Sequence, residues 1–450
     1  MEKQMKSRII PMLIITLSIS VLAAIGINHA LASDKTSEEN VSAVAATGNN
    51  SALAPDQAKA VLGNQAKAVP GNQTKAVPGS QTEKPERIVT YLKTDHDAAW
   101  YARQAELWEK EVRRNPQNDD AWYFWFTATR YRLMHEGDNM QEYSDEPLKA
   151  IANRVHRERP KSFARYIIDE ECGRLVNGCD GIEDHMVEAI SMRPDFEELY
   201  PTYVAYLMTH GKDDMMADIL ERWYQSGTYS YTLLSYAYNC LAGMDPNGIL
   251  LVMGDNETFS SLMVQYGKGL LQDRVVVNRT LMTFYPEYRE KLCRQLGMDN
   301  YKGPEDYRQE SLYKWEQGFI SAIEKATGRS IYFTALSRPD YFHSELYSEG
   351  LVLKHSTRKY DNLSVKRRNY ESVYLKDYLY ETFVPENYVA SAYRVNLNYI
   401  PSFKSLLDFY KSQGMNKEYN QLRGLMEHII QECKGIEGFD PKLYYDEIER

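Results

Sequence analysis

Three prolines, each followed six residues later by an aromatic ring, set the rhythm of the chain: Pro116 with Trp122, Pro160 with Tyr166 and Pro194 with Tyr200, the last two prolines lying 34 residues apart. Proline stops a helix and the ring sits on the next one, so the recurrence predicts stacked helix pairs rather than an extended sheet. Tyr101, Ala105, Trp108 and Val112 fall at i, i+4, i+7 and i+11, one face of a helix that stops before Asn115-Pro116. Trp122, Trp125 and Thr129 make a stripe on a second helix starting near Asp120. Aromatics are 12% of the chain and 35 residues are Tyr, which suits helices that bury ring after ring. Trp108, Trp122, Trp125 and Tyr203 are accordingly expected in the packing and not at a ligand.

The internal spacing repeats as well. Tyr200, Tyr203, Leu207 and Gly211 are separated by 3, 4 and 4 residues, Ala189 lies five before Pro194, and Phe403, Leu406, Tyr410 and Gly414 reproduce the 3, 4, 4 spacing far downstream. In these positions the chain resembles tetratricopeptide repeats, in two blocks at about 90–240 and 395–435. It departs from them at Phe126, where that family has a small residue, and between Pro116 and Pro160, where a spacing of 44 needs an insertion around His135 to Glu146. The resemblance implies degenerate helical pairs stacked into a curved surface of the kind that binds peptides or proteins.

Between the two blocks the period changes. Ile249 to Met253 (ILLVM) is a short apolar run closed by Gly254-Asp255-Asn256, a helical stretch runs from Glu257 to about Lys268, and Arg274 to Asn278 (RVVVN) is a second run. Strand, helix and strand within about 30 residues read as a βαβ unit with parallel strands. Ile331 to Leu336 and Leu351 to Lys354 add two more strands, so the fold class expected is mainly α, with a small, mostly parallel α/β layer inserted at 247–356. The turn from Asn247 through Asp255-Asn256-Glu257-Thr258-Phe259, with Asp273 to Asn278 after it, resembles the soluble C-terminal region of bacterial protein O-mannosyltransferase-like membrane proteins. Ser260-Ser261-Leu262 stands where that family has a Trp-Tyr pair, and its multi-spanning transferase part has no counterpart here. The resemblance implies a shared accessory domain and not transferase activity.

In parallel α/β sheets ligands sit beyond the carboxyl ends of the strands. Asp255 and Asn256 hold that place after the first strand, Asn278 and Arg279 after the second, and Ser337 and Arg338 after the third. These residues either converge on a polar ligand or, in the simpler alternative, Asp255 or Asn256 caps the following helix with Glu257 near its positive end. No P-loop, serine elbow, HExxH or CxxC pattern occurs, and the nine His lack ligand spacing, so neither a metal nor a cofactor is expected. Asp95-His96-Asp97 reads as a solvated helix start. Of five Cys, Cys172 and Cys179 lie close together beside Gly173 and Gly178, either as a disulfide or as two small core residues.

The N-terminus carries an address. Lys3, Lys6 and Arg8 precede 19 residues, Ile9 to Ile27, without a charge, and Ala30-Leu31-Ala32 fits a cleavage site, so residues 1–32 are a removed signal peptide or a retained membrane anchor. Residues 33–86 form a linker expected to be disordered, in which AKAVLGNQ, AKAVPGNQ and TKAVPGSQ follow one another from Ala58 to Gln81. Helical repeats then occupy 87–246, the α/β insert 247–356, and a tyrosine-rich segment with terminal helices 357–450. With 53 basic against 63 acidic side chains the net charge is −10, which argues against nucleic acid as a partner. The expectation is a non-enzymatic scaffold facing the periplasm, anchored to the inner membrane or secreted, that binds envelope proteins. The alternative is an accessory enzyme or ligand-binding protein in envelope glycan or protein glycosylation pathways.

Overall fold

The computed structural model describes residues 83–450 apart from 92, 137–144, 176–183, 307, 382, 383, 385 and 437. The run Ile9 to Ile27, the octapeptide repeats and most of the insertion expected around His135 to Glu146 lie outside the described residues. Among the described residues no helix is long and apolar enough to cross a membrane. The protein is mainly helical with one small mixed sheet.

Among the described residues eight α-helices precede the sheet: α1 (Ala98–Arg114), α2 (Asp119–Glu136), α3 (Glu146–Glu158), α4 (Phe163–Leu175), α5 (Asp184–Met192), α6 (Tyr200–Thr209), α7 (Asp213–Ser226) and α8 (Tyr231–Ala242). Asp97 caps α1 by accepting from Trp100 N at 2.8 Å, and the helix buries Tyr101, Ala105, Trp108 and Val112 as its periodicity requires. The rest of the expected solvated turn is also in use, since His96 stacks on Trp100 and Asp95 meets His135 at 2.9 Å.

The stripe expected on α2 is too narrow. Besides Trp122 the helix buries Tyr123, Phe124, Phe126 and Leu133, while Trp125 is only half-buried. Contacts with α1, α3 and α4 cover most of its circumference, and a helix so placed is apolar nearly all round.

Two of the three proline–aromatic pairs are direct contacts. Trp122 Nε1 donates to Pro116 O and Tyr200 OH donates to Pro194 O, each at 3.0 Å. A ring six residues beyond the proline thus satisfies a carbonyl left without a helical partner. The third pair differs: Arg165 Nη1 takes Pro160 O at 2.5 Å, and Tyr166 packs its ring edge-on against His185 instead.

The sheet comprises β1 (Ile249–Val252), β2 (Val275–Asn278), β3 (Ile331–Thr334), β4 (Leu346–Ser348) and β5 (Val352–His355), in the order β2-β1-β3-β5-β4. Between β1 and β2 run α9 (Asp255–Leu262) and a wider turn of π type (Met263–Gly267); between β2 and β3 run α10 (Arg279–Phe284), α11 (Pro286–Gln295) and α12 (Gln309–Thr327). β1 pairs in parallel with β2 and with β3, which makes the expected βαβ unit. The other half corrects the expectation of a mostly parallel layer, because β3–β5 and β4–β5 are antiparallel. Glu349-Gly350-Leu351 is too short to carry a crossover, and Gly350 at φ +114° supplies a backbone that only glycine adopts at ease, so β4 and β5 form a hairpin.

The sheet separates two cores. Ile249, Leu251, Ile331 and Phe333 face the core shared with α1–α7, whereas Leu250, Val252, Tyr332 and Val352 face a second core, which the chain reaches through α13 (Asn362–Arg368) and α14 (Val389–Asn396) and builds with α15 (Tyr399–Ser412), α16 (Asn416–Glu432) and α17 (Pro441–Glu449). Burial on both faces is why the central strands read as unbroken apolar runs. The tyrosine-rich segment is fastened by fully buried Asn239, whose Nδ2 donates to Leu375 O (2.7 Å) and Tyr399 OH (2.8 Å) while its Oδ1 accepts from Leu375 N (2.8 Å).

Candidate site at the carboxyl ends of the parallel strands

The chain leaves β1 through Met253 and Gly254, and Gly254 adopts φ +81° and ψ 166°, a region essentially reserved for glycine. That kink makes Gly254 the capping residue of α9, with no side-chain cap bond, and corrects the expectation that Asp255 or Asn256 would cap it. Asp255 is the first residue of the helix and exposed, and Asn256 is half-buried. The start of α9 is fastened from its third and fourth residues: Glu257 Oε2 accepts from Met253 N at 3.1 Å, and Thr258 Oγ1 donates to Gly254 O at 2.7 Å.

After β2, Asn278 is the residue that caps. Its Oδ1 accepts from Leu281 N and its Nδ2 donates to Thr258 Oγ1, both at 2.9 Å, tying the start of α10 to the start of α9. Arg279 turns inward and is buried. Its Nε and Nη2 donate to the two oxygens of Glu316 on α12 at 2.6 and 2.7 Å, and its Nη1 donates to Ser337 O. After β3, Ser337 is fully buried; its hydroxyl accepts from Thr334 N at 2.7 Å and donates to Leu251 O at 2.6 Å. Arg338 follows, half-buried.

Asn278, Arg279 and Ser337 are thus gathered at one end of the sheet, but their side chains are taken up by Thr258, Glu316, Thr334 and the backbone. The guanidinium is held charged by the Glu316 carboxylate despite burial. Such a cluster locks three strand ends together and leaves its own donors and acceptors occupied.

Glu257 is the group that sequence reasoning undervalued, having been read only as a favourable charge beside the helix dipole. It is 8% exposed, and burial raises its pKa to about 7, against the opposing pull of the Thr334 hydroxyl, the Met253 N–H and Arg279. Glu316 was missed altogether, although a signal existed: it sits three, four and seven residues before Phe319, Ile320 and Ile323 on the buried face of α12. An acid on an apolar stripe calls for a buried cation.

The raised pKa of Glu257 has a sign. Between the ordinary carboxyl value near 4.5 and about 7 the folded chain holds a proton that the unfolded chain releases. Stability contributed at acid pH is therefore lost as the pH rises through that window, by roughly 3 kcal/mol in all, and then levels off. Glu257→Gln keeps the acceptor for Met253 N without the charge. The melting-temperature difference between variant and wild type is expected to grow in the variant's favour from pH 5 to pH 8; parallel profiles would contradict the assignment.

Among the described residues no group of three or more His, Cys, Asp or Glu is placed to hold a metal. Cys172 is disulfide-bonded, Cys179 lies outside the described residues, and Cys240, Cys293 and Cys433 are free and buried. No protein family, no curated protein and no solved structure matches the chain.

Proposed function

We propose that the protein is a non-enzymatic interaction protein of the bacterial envelope, exported or anchored through Ile9 to Ile27, whose degenerate tetratricopeptide-like helix pairs present a surface for protein partners on the periplasmic side of the inner membrane. The observation that carries this reading is the closure of the strand ends: where an α/β enzyme exposes its reacting groups, Arg279, Glu316 and Ser337 satisfy one another. A disulfide at Cys172 suits an oxidising compartment, and burial of the three free thiols protects them there. The accessory-enzyme reading in glycan or glycosylation pathways draws support from Glu257 alone, since a carboxyl with a pKa near 7 is suited to proton transfer.

Crosslinking of the tagged full chain in intact cells, followed by capture from solubilised envelopes, tests the choice. A discrete set of proteins is expected, retained unchanged by Glu257→Gln. A chain that crosslinks to no protein overturns the interaction reading. Loss of the partners in Glu257→Gln, with folding intact, would move the weight to the site around Glu257.

A further inference from the structure

Met263 to Gly267, which leads from α9 toward β2, is wound as a π turn closed by Lys268 N donating to Met263 O at 3.0 Å. Such a turn takes up one extra residue and re-aims the side chains it carries. A Cβ on Gly267 would meet Tyr224 Cβ of α7 at 2.7 Å, so the turn seats against that helix only with glycine there. It delivers Gln265, 4% exposed, to the free edge of β2. Gln265 Nε2 donates to Leu271 O at 2.9 Å and to Arg274 O at 2.8 Å. Two carbonyls against one end of an amide fix that end as the nitrogen and leave Oε1 as an acceptor. No described residue donates to that oxygen.

Gln265 lines a cavity of about 260 Å³. Tyr288 of α11 lines it from the other end of the strand: its hydroxyl accepts from Asn278 N at 3.0 Å, and its proton has no acceptor among the described residues. Burial pushes that hydroxyl up to about 12, so it stays a donor. Between the two lies Val276, which also lines the cavity. Val275 N donates to Gly248 O, and a parallel ladder uses both backbone groups of every second residue, so the N–H and C=O of Val276 point away from β1. Along about 10 Å of strand edge, three residues at ~3.3 Å each, the wall therefore offers acceptor, donor, acceptor and donor in turn.

The charges of the lining are already matched. Lys291 meets Asp213 and Arg274 meets Asp273, while Arg274 Nε also donates to Leu241 O at 3.1 Å. No lining charge is left to call for a counter-charge on a ligand. Buried Leu262 and Leu292 add an apolar wall for a carbon frame. The volume lies just under the roughly 300 Å³ at which drug-sized sites begin. A hydroxyl donates and accepts through one atom, so neighbouring hydroxyls on a compact frame match the alternating wall.

We infer that the cavity at the edge of β2 is a binding site for a small uncharged polyol the size of one sugar ring. Its neighbouring hydroxyls donate to Gln265 Oε1 and Val276 O and accept from Val276 N and the Tyr288 hydroxyl. Glu257 does not line the cavity, so the site holds a ligand and adds nothing to the enzyme reading. It is independent of the surface for protein partners.

The probes are neutral aldohexoses and inositols, with glucuronate and glucosamine as charged counterparts and cyclohexylmethanol as the single-hydroxyl one, offered to the tagged full chain and read by saturation-transfer NMR. At least one neutral polyol is expected to bind, with the charged and single-hydroxyl compounds tenfold or more weaker, because they leave polar groups of the wall unpaired. Tyr288→Phe deletes the last donor of the row and is expected to weaken binding about five- to tenfold. Gln295→Trp, from the exposed rim, is expected to fill the mouth and abolish binding with an unchanged melting curve.

Binding of no neutral polyol, equal binding of the charged or single-hydroxyl compounds, or full binding by Gln295→Trp would overturn the inference. So would unchanged affinity in a folded Tyr288→Phe; if that variant does not fold, for want of an acceptor at Asn278 N, Gln295→Trp decides.

Discussion

Glu316→Ala is expected to destabilise the protein by about 3–5 kcal/mol, because it strands the Arg279 guanidinium in the interior without its counter-ion. Arg279 is 6% exposed and donates to both oxygens of this one carboxylate, at 2.6 and 2.7 Å, and its bond to Ser337 O supplies no charge in the carboxylate's place. Replacing both members with apolar residues of similar size, Arg279→Met with Glu316→Leu, is expected to recover most of the loss, since it removes the buried charges together with their attraction. Urea unfolding of the two single variants and the double gives the coupling directly. A loss below about 1 kcal/mol in Glu316→Ala would mean that water reaches the guanidinium, and the strand ends would then have to be regarded as open to ligands.

That pair also marks where sequence reasoning stops. Arg279 and Glu316 are 37 residues apart and meet only because α12 crosses the end of the sheet, so no local pattern joins them. The βαβ unit was legible because its strands are buried on both faces, which leaves a continuous apolar run that needs no knowledge of the rest. β4 was not legible: all three of its residues are half-buried, and its pairing depends on a hairpin set by the backbone of Gly350. Glu257 was legible as a residue and not as an environment. Asn256-Glu257-Thr258 has the composition of an exposed first turn, and only the kink at Gly254 rolls the glutamate inward. The proline–aromatic spacing was recognised as a rhythm, and the structure gives it a cause in the hydrogen bonds to Pro116 O and Pro194 O.

Two neighbouring tryptophans that share one stripe in the sequence differ in the fold. Trp122 is fully buried, and its indole N–H satisfies Pro116 O, whereas Trp125, its neighbour on that stripe, is only half-buried. Arg154 lies over both rings, at 5.1 and 5.5 Å, so the cation contact does not distinguish them and burial must. Trp122→Ala is expected to cost about 3–5 kcal/mol, from lost burial and the cavity left between α1, α2 and α3. Trp125→Ala, whose ring already meets water, is expected to cost less than half as much. Trp122→Phe keeps most of the volume and loses the bond to Pro116 O, a further measure of about 1 kcal/mol for the contact behind the repeat. Equal losses at the two tryptophans would show that α2 offers one apolar face, as its stripe suggested, and that its all-round burial carries little of the stability.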